Sequence, residues 1–92
     1  MPPALAPHYL AELMHLASRL EVQVRVERLG DAEIEVTSGL VWLEGRPIVF
    51  LDARLSPREK VLVLARELSS FPLEGIYLKP AIRRLLRPAE EE

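Results

Sequence analysis

Cysteine is absent from the 92 residues, which excludes a disulfide framework and any thiolate metal site. Histidine occurs only as His8 and His15, so one chain cannot assemble a three-histidine catalytic zinc. The four glycines stand apart at positions 30, 39, 45 and 75, which rules out a glycine-rich phosphate loop. No serine is flanked by the glycines of a nucleophile elbow, and Ser56 is needed as a helix cap, so a Ser-His-Asp triad is not expected either. No run approaches the ~20 apolar residues of a membrane span. The opening "MPPALAPHYL" lacks the basic region and long apolar run of a signal peptide. The expected location is therefore cytoplasmic, without a membrane partner.

Charge of one sign is also missing. The net charge of −2 includes −3 from Glu90, Glu91 and Glu92, so residues 1–89 carry 12 basic against 11 acidic side chains. That balance argues against a nucleic-acid footprint. Arg83, Arg84 and Arg87 near the end of the chain are more simply read as cations favoured by a helix C-terminus. Asparagine is absent, Gln23 is the sole glutamine, there are eight prolines, and arginine outnumbers lysine ten to two. Few labile amides and many prolines suit a thermophilic source, and the excess of leucine, alanine, arginine and proline is equally what a biased genomic base composition gives.

What remains is a chain 49% hydrophobic and 28% charged, the composition of one globular domain spanning residues 1–92 with an acidic tail at 88–92. Leu10, Leu13, Leu16, Ala17 and Leu20 recur at helical spacing and predict a first helix over residues 7–20. In residues 22–28, Val22, Val24 and Val26 alternate with Gln23, Arg25 and Glu27, the pattern of a half-buried strand. A turn is expected at Leu29-Gly30-Asp31, then an edge strand or extended loop at 32–36.

"LVWLEGRPIVFLD", residues 40–52, reads as a hairpin turning at Glu44-Gly45-Arg46-Pro47 and apolar on both faces. One face is assigned Leu40, Trp42, Ile48 and Phe50, the other Val41, Leu43, Val49 and Leu51. Trp42 and Tyr77, lying in apolar runs, are expected in the core. "SPRE" at 56–59 carries the strongest local signal: Ser56 as N-cap, Pro57 in the first helical position, and Glu59 closing a capping box. Val61, Leu64, Ala65 and Leu68 form the buried stripe of that second helix, which should end at Phe71-Pro72. A short last helix should run from Pro80 to about Arg87.

The order helix, sheet, helix with "ARELSS" on the second helix resembles the minimal core of zincin-type metallopeptidases. In that family HExxH sets two zinc-binding histidines one turn apart, and the glutamate serves as general base toward a metal-bound water. The resemblance places Glu67 on the glutamate. Arg66 and Ser70 occupy the histidine positions, and neither side chain is a zinc ligand of that kind. The ending "LEGIYLKPAIRRLL", the capped helix and the apolar hairpin together also resemble a set of small bacterial proteins of similar layout, a likeness that implies no activity. His8, Glu12 and His15 share one helix face and are the remaining metal candidates, although residues seven apart lie about 10 Å apart along the axis.

The expectation is thus an α+β domain with an antiparallel sheet of three to four strands, two main helices and a short C-terminal one. No cofactor is called for. The hairpin carries more apolar surface than the helices can cover, and the last helix adds only Ala81, Ile82, Leu85 and Leu86. The expected function is therefore a non-catalytic interaction domain that forms a homodimer or meets another protein through Val41, Leu43, Val49 and Leu51. The alternative is a divergent metal-dependent hydrolase built on Glu67, with ligands from a second chain.

Overall fold

Pro3–Leu5 form a 3₁₀ turn that leads into helix α1, Ala6–Arg19, which buries Leu13, Leu16 and Ala17. The structure, a computed structural model, describes residues 1–30 and 37–86. The expected element at 32–36 and the tail at 88–92 lie outside the described residues. α1 ends in a Schellman turn: the Val22 amide donates to the Ala17 carbonyl (2.8 Å) and the Glu21 amide to that of Ser18 (3.0 Å). Glu21 adopts φ 63°, a left-handed conformation usually left to glycine. This sharp exit aims the chain into strand β1, Gln23–Glu27.

Strands β2, Gly39–Leu43, and β3, Arg46–Asp52, form the expected hairpin on a tighter loop. Leu43 pairs with Arg46, leaving only Glu44 and Gly45 in the turn, at φ 52° and 78°. Two positive φ values are the signature of a type I′ turn, whose twist matches that of the strands. Pro47 consequently lies inside β3. Amides of β3 alternate sides: that of Ala53, just past the strand, donates to Glu27 of β1, and that of Asp52 to Ser38 Oγ beside β2. Residue 47 would face β1 below its first residue, since β1 begins opposite Ile48, so proline's missing N–H costs no ladder bond.

The sheet is mixed, with strand order β1-β3-β2, and not antiparallel as expected. β2 runs antiparallel to β3, whereas β1 pairs with β3 in parallel from Gln23–Ile48 to Glu27–Asp52. The described sheet has three strands. β3 takes the centre because it is apolar on both faces, while β1, polar at Gln23, Arg25 and Glu27, suits an edge. β1 ends and β2 begins at the C-terminal end of β3, and an ionic network ties Leu29, just past β1, to that end. Arg54 donates to Asp52 Oδ1 through Nε and to Asp52 Oδ2 through Nη2, and Nη2 also reaches the Leu29 carbonyl at 2.7 Å.

Helix α2, Pro57–Leu68, begins with the complete capping box: Ser56 Oγ accepts from the Glu59 amide (3.1 Å) and Glu59 Oε1 from the Ser56 amide (2.8 Å). It ends before Phe71-Pro72 because the Ser69 and Ser70 hydroxyls donate to the carbonyls of Arg66 and Glu67 at 2.7 and 2.8 Å. Those bonds satisfy end carbonyls, and the turn tightens. Helix α3, Pro80–Leu86, packs on α2 and α1 through Ile82 and Leu86.

One core joins the three helices to one face of the sheet. Leu13, Leu16, Val61, Leu64, Leu68, Ile82 and Leu86 meet Val49 and Leu51 of β3, with Val24 and Leu40 half-buried beside them. Each fully buried leucine contributes about 1.5–3 kcal/mol relative to exposure. No helix of the described residues covers the opposite face.

Candidate functional site

The hairpin register decides which side chains remain for a partner. Leu40 pairs with Val49 and Trp42 with Pro47, so Leu40, Trp42, Val49 and Leu51 share the helix-covered face. Val41 pairs with Ile48 and Gly39 with Phe50, which puts Val41, Leu43, Ile48 and Phe50 on the other. The expected grouping is therefore corrected. A two-residue loop places odd positions of one strand opposite even positions of the other, and the grouping by parity alone crossed the two faces. Val49 and Leu51 are 0% exposed within their own chain and belong to the core, not to an interaction surface.

Val41 and Leu43 remain at the surface, 41% and 51% exposed, with Trp42 between them at 60%. Trp42 is thus not a core residue; its ring leans on Phe71, centroids 6.3 Å apart, and leaves its outer side in water. Tyr77, also expected inside, is exposed on the loop before α3. On the face that no helix of the described residues covers, Ile48 is buried at the centre, and Phe50 is half-buried under Arg25, whose guanidinium lies 5.7 Å from the ring centroid. Arg25 also pairs with Glu27 at 2.6 Å, so the β1 side of this face is charged while the β2 side is apolar.

β2 is an edge strand, and its outer side has no neighbour among the described residues. Because Gly39 and Val41 face Phe50 and Ile48, whose amides point toward β2, the N–H and C=O groups of Leu40 and Trp42 point outward. Natural edge strands are usually blunted by charges, proline or bulges. Gly39-Leu40-Val41-Trp42-Leu43 has none of these.

The sequence-predicted chemical candidates are held in structural contacts. Glu67 Oε2 accepts from Arg66 Nη2 at 3.1 Å and sits over the start of β2, where a Cβ added to Gly39 would lie 3.7 Å away. Glu12 Oε2 accepts from Lys79 Nζ at 2.9 Å, a bond that ties α1 to the segment before α3. That hydrogen bond holds the Glu12 carboxyl below its ordinary value and raises Lys79. His8 Nε2 stands 3.9 Å from the same oxygen. His15 lies a turn beyond Glu12 on α1, in a cleft of roughly 160 Å³ shared with Arg19, Tyr77 and Lys79. Lys79 takes the carboxylate that would have joined the two imidazoles. Among the described residues no three His, Asp or Glu side chains are placed to hold one metal ion. Arg83 and Arg84 are exposed on α3, and Arg87 lies outside the described residues.

Comparison of the chain with protein-family models, curated proteins and solved structures found no match. The functional reading therefore rests on the geometry of β2 and of the face that no helix of the described residues covers.

Proposed function

We propose that the protein is a non-catalytic interaction domain whose partner is a second copy of itself, met through the β2 side of the sheet. One observation carries this reading: Val41, Trp42 and Leu43 are consecutive, apolar and exposed on an edge strand whose outer side has no neighbour among the described residues. Three such residues in a row are more than the scattered apolar exposure normal for a monomer, and apolar surface costs about 25 cal/mol per Å² when left in water. A twofold pair is the commonest way for identical chains to bury such a patch. The catalytic candidate, in contrast, has its carboxylate engaged by Arg66.

Sedimentation equilibrium or light scattering over a concentration series up to ~100 µM tests the proposal, a range suited to an association of micromolar strength. The expected result is a concentration-dependent dimer that Val41→Lys dissociates while the variant keeps its native circular dichroism. Charge changes at Glu12 or His15, on α1, should leave the dimer intact. A wild-type chain that stays monomeric throughout the series refutes the proposal.

A further inference from the structure

We infer that the second copy docks by antiparallel pairing of β2 with β2, about a twofold axis that passes beside Val41, to give one continuous sheet across the two chains. This inference rests on the dimer reading above and specifies its geometry. The outward backbone groups set the register. Only Leu40 and Trp42 of β2 offer both N–H and C=O to the open edge. In an antiparallel ladder, hydrogen-bonded and non-hydrogen-bonded pairs alternate. The symmetric solution that uses every outward group sets Leu40 opposite Trp42 of the second copy and Trp42 opposite its Leu40, both as hydrogen-bonded pairs. Val41 then faces Val41 of the second copy as the close, non-hydrogen-bonded pair. A shift by one residue would aim inward-facing amides at the partner and leave the outward ones bare.

Side chains agree with this register. Trp42 meets Leu40 of the second copy on the helix-covered face, an aromatic–aliphatic cross-strand pair of a favourable kind. Val41 packs on Val41 on the uncovered face. No residue of Gly39–Leu43 is charged, so the pairing opposes no like charges along the strand. β1, the other edge, presents Arg25 and Glu27 instead and is the blunted side. The exposed parts of Val41, Trp42 and Leu43 in both copies amount to on the order of 600 Å². That is below the ~1,200 Å² of a standard stable interface, so the dimer forms and dissociates with concentration.

The absence of cysteine from the chain makes the geometry directly testable. A non-hydrogen-bonded pair holds its Cα atoms ~4.5 Å apart, within the ~4.4–6.8 Å that a disulfide spans. Val41→Cys should therefore convert almost completely to a covalent dimer under mild oxidation at a concentration where the wild type is dimeric. Leu43→Cys should not, because in this register the two positions lie four residues apart along the strands, about 13 Å. Packing of the two uncovered faces against each other would separate the sheets by ~10 Å and cross-link neither variant. In the wild type, the amides of Leu40 and Trp42 should exchange slowly at high concentration and lose that protection on dilution. A dimer in which Val41→Cys fails to cross-link, or Leu43→Cys cross-links equally, overturns the register and leaves the dimer standing. A wild-type monomer overturns both.

Discussion

Replacing Glu21 with glycine should stabilise this protein, and the structure supplies the magnitude. Glu21 is the residue after the C-cap of α1 and holds φ 63°. For an L-residue the left-handed region costs roughly 1–2 kcal/mol, because Cβ crowds the carbonyl oxygen; glycine has no Cβ. Glycine also gives the unfolded chain more freedom, a penalty of about 0.4–1 kcal/mol. The difference favours Glu21→Gly by about 1 kcal/mol. Nothing else of note is lost: the side chain is exposed, and the amide bonds to Ser18 and from Val22 to Ala17 are made by backbone alone. For a domain of this size 1 kcal/mol corresponds to a rise in Tm of about 4–8 °C. Calorimetry at neutral pH is the assay, with Glu21→Ala as control, since alanine removes the same charge yet keeps the strain. If glycine lowered Tm relative to alanine, the turn would not be strained and the reasoning would fail.

Two further perturbations probe the helix and the network at the sheet end. Ser56→Ala should cost about 1 kcal/mol by removing the acceptor for the Glu59 amide, and Leu64→Ala, fully buried, about 2–5 kcal/mol; denaturant melts giving the reverse order would contradict the assigned core. Hydrogen bonds from the Arg54 side chain and backbone hold the Asp52 carboxyl far below its ordinary value near 3.8. A carboxylate whose folded value is depressed adds stability above its unfolded value, and that stability is lost as pH falls through the folded one. Wild type should therefore exceed Asp52→Asn in stability at neutral pH, with the gap narrowing progressively below about pH 4. A gap that stayed constant down to strongly acid pH would show that the Asp52–Arg54 pair is not its source.

Local chemistry determined the elements. Ser56, Pro57 and Glu59 fixed the start of α2 to the residue, since a capping box uses only neighbours in sequence. The spacing of Leu13, Leu16 and Ala17 in α1 and of Val61, Leu64, Ala65 and Leu68 in α2 marked the buried faces before any partner was known. The surplus of apolar residues in the hairpin was equally legible, because counting side chains requires no topology. Glu44-Gly45 carried the turn, two residues shorter than the expected Glu44–Pro47, while the sorting of Val41, Leu43, Val49 and Leu51 turned on a separate point: any loop of even length sets odd positions of one strand opposite even positions of the other.

Strand order and exposure were decided only in three dimensions. Whether β1 lies beside β2 or beside β3 depends on backbone pairing between segments more than twenty residues apart, and no residue of β1 encodes its neighbour. Once β3 took the centre, β2 became an edge, Trp42 and Val41 were left in water, and the outward amides of Leu40 and Trp42 acquired a meaning that a linear pattern does not hold. Apolar character alone says that a side chain seeks burial. The tertiary structure decides whether its own chain provides it, because that depends on which elements remain to cover each face.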